Sequence, residues 1–255
     1  MEENREKISN SALISLCEEF RKNNRIDPEK FEQYEVKRGL RNADGSGVVA
    51  GLTLICNVHG YVMNEGEKSP VEGRLVYRGM DIRELVNGCA HDIRFGFEET
   101  AWLLLFGTLP TKSQIEQFSN ILSECHELPE YFAEDMIIKA PSNNIMNKLA
   151  RSVLALYSYD DNAEDISLEN VLRQSINLIA MMPTIMSYAY QVKRRHYDKE
   201  SMYFHPMIPG LSTAEAILHM LRADSSFTDE EAKLLDLCLM LHAEHGGGNN
   251  STFTA

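Results

Sequence analysis

Apolar and polar positions recur with a helical period over most of the chain. Leu13, Leu16, Cys17 and Phe20 fall three and four apart between polar residues, which predicts a helix over residues 8–24. Asp27-Pro28 reads as an N-cap and a first-turn proline. The helix they open, through Phe31, Tyr34 and Val36, ends near Gly39, and residues 41–47 are a loop by composition. The period then shortens to two. Residues 52–57 and 61–64 flank Val58-His59-Gly60 and read as short hairpin strands, residues 75–77 as a third, and residues 65–70 as an exposed turn.

From Asp81 onward the signals are almost all helical. Asp81 caps a short helix that Gly88 ends. Residues 97–106 are a nearly continuous apolar run, so that helix is buried on most sides, with Trp102 in the core and Gly107 and Pro110 closing it. Glu98 and Glu99 lie in its first turn, where acids suit the dipole. Thr111 caps the next helix, which carries Ile115, Phe118, Ile121 and Leu122 on one face, and Pro129 opens another through Phe132 and Met136. Ile145, Met146, Leu149, Val153, Leu154 and Leu156 mark a helix within residues 144–159. Residues 168–195 are the longest periodic segment, and Pro183 inside it predicts a kink or a break. Between Ala180 and Tyr190 it is apolar nearly all round, so it is either central or shared with a partner subunit. Ser212 with Glu215, and Thr228 with Glu231, are capping boxes that open the last two helices. The pattern as a whole predicts a mainly α fold with a small antiparallel β-sheet near the N-terminus.

Composition narrows the class. A chain of 255 residues can bury a full core. Its net charge of −13 argues against nucleic acid or an anionic membrane as partner, and means that an anionic substrate needs a locally positive pocket. The five cysteines contain no C-x-x-C pair, which fits reduced thiols in a cytoplasm. The acidic start, Met1-Glu2-Glu3-Asn4, does not read as a signal peptide, and no apolar run approaches a membrane span.

The polar chemistry concentrates in the last stretch, Leu241-His242-Ala243-Glu244-His245-Gly246-Gly247-Gly248-Asn249-Asn250-Ser251-Thr252. His242 and His245 are three apart at the end of an apolar helix, where the negative end of the dipole favours protonated imidazole. A cationic or hydrogen-bonding histidine suits a carboxylate, the glycines let backbone approach a small ligand, and Asn249 to Thr252 add donors and acceptors. The same residues also read more plainly as a charge match at a helix end followed by a turn. The H-A-E-H spacing fits neither zinc-hydrolase pattern, so no metal is expected. His59 and His219 read as structural, residues 157–162 as a solvated loop, and Lys193-Arg194-Arg195-His196 as dipole matching.

The stretch resembles the oxaloacetate-binding segment of the citrate synthase family, H-x-x-H followed by small residues, Asn and Ser. Three further stretches agree in order: Gly73-Arg74-Leu75-Val76-Tyr77-Arg78-Gly79-Met80-Asp81-Ile82 with the family's early signature, residues 97–110 ending in Gly107-Thr108-Leu109-Pro110, and Met182-Pro183-Thr184-Ile185. The resemblance implies a multi-helical large domain over residues 51–255, preceded by an N-terminal helical segment, residues 1–50. It implies that His245 and Asn249 contact oxaloacetate and that His242 lines the same neighbourhood. It also implies a homodimer through the helices between Ala180 and Tyr190, and no cofactor, acetyl-CoA being a substrate. The family's acid–base histidine and aspartate lie further along than Ala255, so no catalytic residue is expected within residues 1–255, which alone should be inactive. A 2-methylcitrate synthase using propionyl-CoA is the near alternative; a non-catalytic helical interaction or metal-binding module is the distant one.

Overall fold

The computed structural model describes residues 8–34, 52–65, 67–92 and 94–244. Contacts divide the chain into two compact units, Met1–Glu18 with Thr111–Leu237 and Glu19–Pro110 with Cys238–Ala255. Helices α1 (Asn10–Asn23) and α2 (Glu29–Gln33) come first, with the Asp27 carboxylate accepting the Glu29 N–H at 3.1 Å as the Asp-Pro pair predicts. The expected continuation of α2 to Gly39, and the loop after it, lie outside the described residues.

The unit that includes Cys238 is built on a hairpin. β1 (Cys56–Asn64) pairs antiparallel with β2 (Glu67–Tyr77), from Cys56 opposite Tyr77 to Asn64 opposite Glu67, and β3 (Met80–Asp81) adds to β2. This corrects the expected turn at residues 58–60: β1 runs straight through it, and the chain reverses after Asn64, where Glu65 takes a φ of 50°. Gly60 instead marks a bulge. His59 faces Arg74 but Tyr61 faces Pro70, so β2 accommodates extra residues there, and Pro70, which cannot donate to the ladder, sits at the irregularity. The segment expected as an exposed turn is therefore mostly strand.

Helix α3 (Ile82–Asp92) starts as expected, with the Asp81 carboxylate accepting the Arg83 N–H at 3.0 Å. It does not stop at Gly88. A Cβ there would meet nothing nearer than Arg94 Nη2 at 3.9 Å, so Gly88 is a tolerated interior glycine rather than a terminator.

Helix α4 (Phe97–Phe106) is the buried apolar helix, and all four of its final carbonyls find donors. Leu103 O accepts from Gly107 N at 2.8 Å, and Gly107 adopts φ 83°, with Asn23 Cβ only 2.7 Å from where a side chain would begin. Leu104 O accepts from the Arg78 guanidinium at 2.6 and 3.0 Å, Leu105 O from Asn24 Nδ2 at 3.1 Å, and Phe106 O from Asn23 Nδ2 at 2.9 Å. Asn24 Oδ1 in turn accepts from Arg78 at 2.6 Å. The Arg78 of the Tyr-Arg-Gly stretch is thus a clamp on a helix end. Cys56, Tyr77, Ile82, Leu85, Cys89, Leu103 and Met240 form the core of this unit.

The other unit is centred on α7 (Leu168–Lys193), which packs against α5 (Lys112–Glu124), a π-helical segment (Ala133–Ile138), α6 (Ile145–Leu156) and α8 (Thr213–Leu221). Ala180, Pro183, Thr184, Ile185, Ser187 and Ala189 are buried, so one side of the apolar stretch of α7 packs within its own chain, and the helix is unbroken at Pro183. The Gln191 amide is fully buried and donates to Leu221 O at 2.7 Å while accepting from Tyr203 N at 3.2 Å. The predicted caps form: Thr111 accepts from Gln114 N, and the Ser212–Glu215 and Thr228–Glu231 boxes are both reciprocal. The Arg222 guanidinium and the Thr228 N–H hold the Glu231 carboxyl down to about 2.

Two local expectations change here. The helix opened by Pro129 is the wider π-helical turn Ala133–Ile138, reached through Tyr131 at φ 61°. In α6 the buried residues are Lys148, Ser152 and Leu156, whereas Met146 and Leu154 are about three-quarters exposed. Apolar residues occupy more than one side of α6, and the inward side is set by the lysine.

Candidate functional site

The last helix, α9 (Asp229–Leu241), ends just before the histidine stretch. Its final turn is held by two kinds of contact. Along the backbone, Cys238 O accepts the His242 N–H at 3.2 Å and Met240 O accepts the Ala243 N–H at 3.4 Å, so the helix tightens as it stops. From the side, the fully buried Tyr77 places its hydroxyl against the same turn. The phenol oxygen is 3.0 Å from Met240 O, 3.4 Å from Leu241 O and 3.2 Å from Glu244 O, and it accepts the Glu244 N–H at 3.3 Å. One hydroxyl has one proton, so it donates to one of these carbonyls at a time; Met240 O is nearest.

Beneath the turn, Met240 is 2 % exposed and fills the space left by the missing side chain of Gly96, the residue before α4. Burial, then the nearby Glu244 carboxylate, pushes the Cys56 thiol up to about 11, so this cysteine stays protonated and unreactive. Burial is also the main cause that raises the Tyr77 phenol above its ordinary value, which keeps its proton available as a donor.

Of the three expected ligand residues, His242 falls among the described residues; His245 and Asn249 lie outside them. His242 is exposed, and its Nδ1 is 2.7 Å from Cys238 O. A carbonyl can only accept, so Nδ1 carries the proton and Nε2 is the nitrogen left for a ligand: an acceptor in the neutral ring, a donor to a carboxylate once protonated. His59 is exposed on β1 opposite Arg74, and His219 is a half-buried residue of α8, its ring 5.8 Å from that of His205. Neither belongs to the α9 turn. Among the described residues, no three His, Cys, Asp or Glu side chains are grouped so as to hold a metal ion, and no helix is long and apolar enough to cross a membrane.

Residues 43–255 match the family defined by the C-terminal domain of citrate synthase. The chain belongs to the citrate synthase family. A citrate synthase of Haloferax volcanii is 30 % identical over 225 residues, 87 % of this chain and 52 % of that protein. A 2-methylcitrate synthase of Mycobacterium tuberculosis is 27 % identical over 230 residues, 89 % of this chain and 50 % of that one. The crystal structure of citrate synthase from Pyrobaculum aerophilum superposes with a TM-score of 0.62 at 25 % identity, covering 81 % of this chain and 49 % of that one. The chain spans about half the length of the curated citrate synthases it matches. The mainly helical architecture with one small antiparallel sheet is thus that of a citrate synthase, as the sequence predicts.

The sequence points to the histidine stretch because its residues are contiguous. It does not point to Tyr77, whose hydroxyl reaches a backbone 163 residues away. A tyrosine at the end of a strand is an ordinary core residue until its partner is seen.

Proposed function

We propose that this chain supplies the oxaloacetate side of a citrate synthase, which condenses acetyl-CoA with oxaloacetate to give citrate and CoA. In that reaction a methyl proton leaves the acetyl thioester, the resulting enol attacks the ketone carbon of oxaloacetate, and water hydrolyses the citryl thioester to release citrate and the CoA thiol. His245, Asn249 and His242 hold the keto-diacid by charge-assisted and amide hydrogen bonds. The observation that carries this reading is the match of residues 43–255 to the family, with the histidine stretch inside it. The geometry of His242 supports it: an imidazole whose Nδ1 is committed to Cys238 O offers one defined nitrogen to a ligand.

The acid–base histidine and aspartate have no counterpart in residues 1–255, so these residues bind without catalysing. No metal or cofactor enters the proposal, because preorganised hydrogen bonds suffice to stabilise an enolate. Titration of the 255-residue chain with oxaloacetate should show saturable binding, and His245→Ala should raise Kd at least about tenfold. The same chain, given acetyl-CoA and oxaloacetate, should release no CoA thiol. An unchanged Kd in the variant removes His245 from the site; thiol release by the short chain refutes the division of roles. Propionyl-CoA in place of acetyl-CoA is the second reading, supported by the similarity to 2-methylcitrate synthase. Competition between the two thioesters on the complete enzyme separates them.

The protein works in the cytoplasm as a homodimer. Five cysteines, none in a disulfide, support the compartment. Along α7, Val171 and Tyr190 are exposed and Met182 and Met186 only half-buried, a stripe at helical spacing that a second copy would cover between Ala180 and Tyr190. Sedimentation at micromolar concentration should give twice the chain mass of 29.0 kDa, and Met186→Asp should shift it toward the monomer; a monomeric wild type rejects the dimer.

A further inference from the structure

We infer that Tyr77 is a positioning residue for the end of α9: its hydroxyl sets the backbone of residues 240–244, which carries His242 to the ligand. The inference rests on the proposed oxaloacetate reading for its functional half; its structural half stands alone.

The carbonyls at the end of α9 run short of good helical donors, Met240 O accepting only the long bond from the Ala243 N–H at 3.4 Å, and a common solution at such an end is a left-handed glycine that folds the chain back on them. Here the glycines come later, at Gly246 to Gly248. In their place a side chain fills the role. The Tyr77 hydroxyl donates its one proton to Met240 O at 3.0 Å, with Glu244 O at 3.2 Å and Leu241 O at 3.4 Å as alternative acceptors, and accepts the Glu244 N–H at 3.3 Å, which lies beyond the helix end. One oxygen therefore ties the last turn of α9 to the residue just before His245. The ring behind it is held on all sides. Tyr77 is fully buried at the end of β2, paired with Cys56 on β1 and with Met80 on β3. It sits in a core with Ile82, Leu85 and Leu103. The direction of residues 240–244 is thus fixed against a strand, not left to the helix.

This also accounts for a tyrosine, rather than phenylalanine, at a position with no exposed surface. Burying a hydroxyl is unfavourable unless it is bonded, and here it is bonded on both its donor and its acceptor side.

The test is Tyr77→Phe in the 255-residue chain, which keeps the ring and removes only the oxygen, with Tyr77→Leu beside it as a packing control. In Tyr77→Phe the Glu244 amide should exchange with solvent about tenfold faster, the factor expected for one lost hydrogen bond, while amides of α4 and α7 change less than about twofold. The oxaloacetate Kd should rise by a similar factor of about ten, and the Nδ1 and Nε2 resonances of His242 should shift. Tyr77→Leu should instead accelerate exchange throughout the hairpin core. Unchanged exchange at Glu244 in Tyr77→Phe, or faster exchange with an unaltered Kd, overturns the positioning role. If the wild type itself binds no oxaloacetate, the proposed function fails, while the exchange and imidazole readouts still decide whether Tyr77 sets this turn.

Discussion

Lys148→Ala should lower unfolding stability by about 3 kcal/mol, with the urea m-value unchanged. Lys148 is 3 % exposed, on the inward face of α6. Its ammonium donates to Met136 O and, at 3.0 Å, to Ala140 O, the carbonyls around the end of the π-helical segment Ala133–Ile138. Truncation takes away those donors and also leaves the volume of a four-carbon stem unfilled. Lys148→Met keeps the stem and should cost about half as much, because it also removes the penalty of burying a charge. The two variants separate packing from hydrogen bonding.

The same residue gives a pH signature with a definite sign. Burial, with a smaller contribution from the like-charged Arg151, holds the Lys148 ammonium below its ordinary value of 10.5. The folded chain then binds this proton less readily than the unfolded chain, so the residue's contribution to stability rises with pH between its lowered value and 10.5. The difference in stability between wild type and Lys148→Met should therefore widen in favour of wild type over that interval. A difference that stays flat would mean that the ammonium is solvated and the clamp absent.

Lys148 also marks where the sequence stopped being legible. The helices and most of their starts could be read because the signals are local. Thr111, Ser212 and Thr228 each announce a helix with a partner three residues on, and each cap forms. The inward face of α6 could not be read that way. Its apolar residues lie on several sides, and only the carbonyls of a neighbouring segment decide that a lysine turns in while Met146 and Leu154 turn out. Glycine misled twice for a related reason. Gly60 and Gly88 look like punctuation, yet one lies at a bulge and the other inside a helix, because strand pairing and helix continuation were set by their neighbours. The candidate site divides in the same manner. His242, His245 and Asn249 stand out as a contiguous polar run, whereas the residues that hold the end of α9, Tyr77 and Gly96, are distant in sequence, and nothing local in the sequence ties either of them to that helix end.

Gly96→Val is expected to be nearly as costly, about 3 kcal/mol, a fall in Tm of roughly 6–12 °C for a chain of this size. The backbone at Gly96 is not the obstacle: φ is −117° and ψ −8°, open to any residue. Space is. A Cβ would lie 2.6 Å from Cys89 Sγ, 2.6 Å from Met240 Sδ and 2.8 Å from Met240 Cε. Met240 is flexible, so alanine can be accommodated for about 1–2 kcal/mol by swinging the thioether aside. Valine is branched at the clashing carbon and forces both sulfur side chains out of a core where each is almost fully buried. Since Met240 is the residue whose carbonyl Tyr77 engages, displacing it also moves the turn that precedes His245, and the loss of oxaloacetate affinity should exceed that of Tyr77→Phe. Met240→Ala opens the space that the introduced valine side chain needs. The double variant should therefore be less destabilised than the sum of the singles by at least about 1 kcal/mol. Strict additivity, or a Gly96→Val chain within about 0.5 kcal/mol of wild type, would show that the end of α9 is not seated against the start of α4.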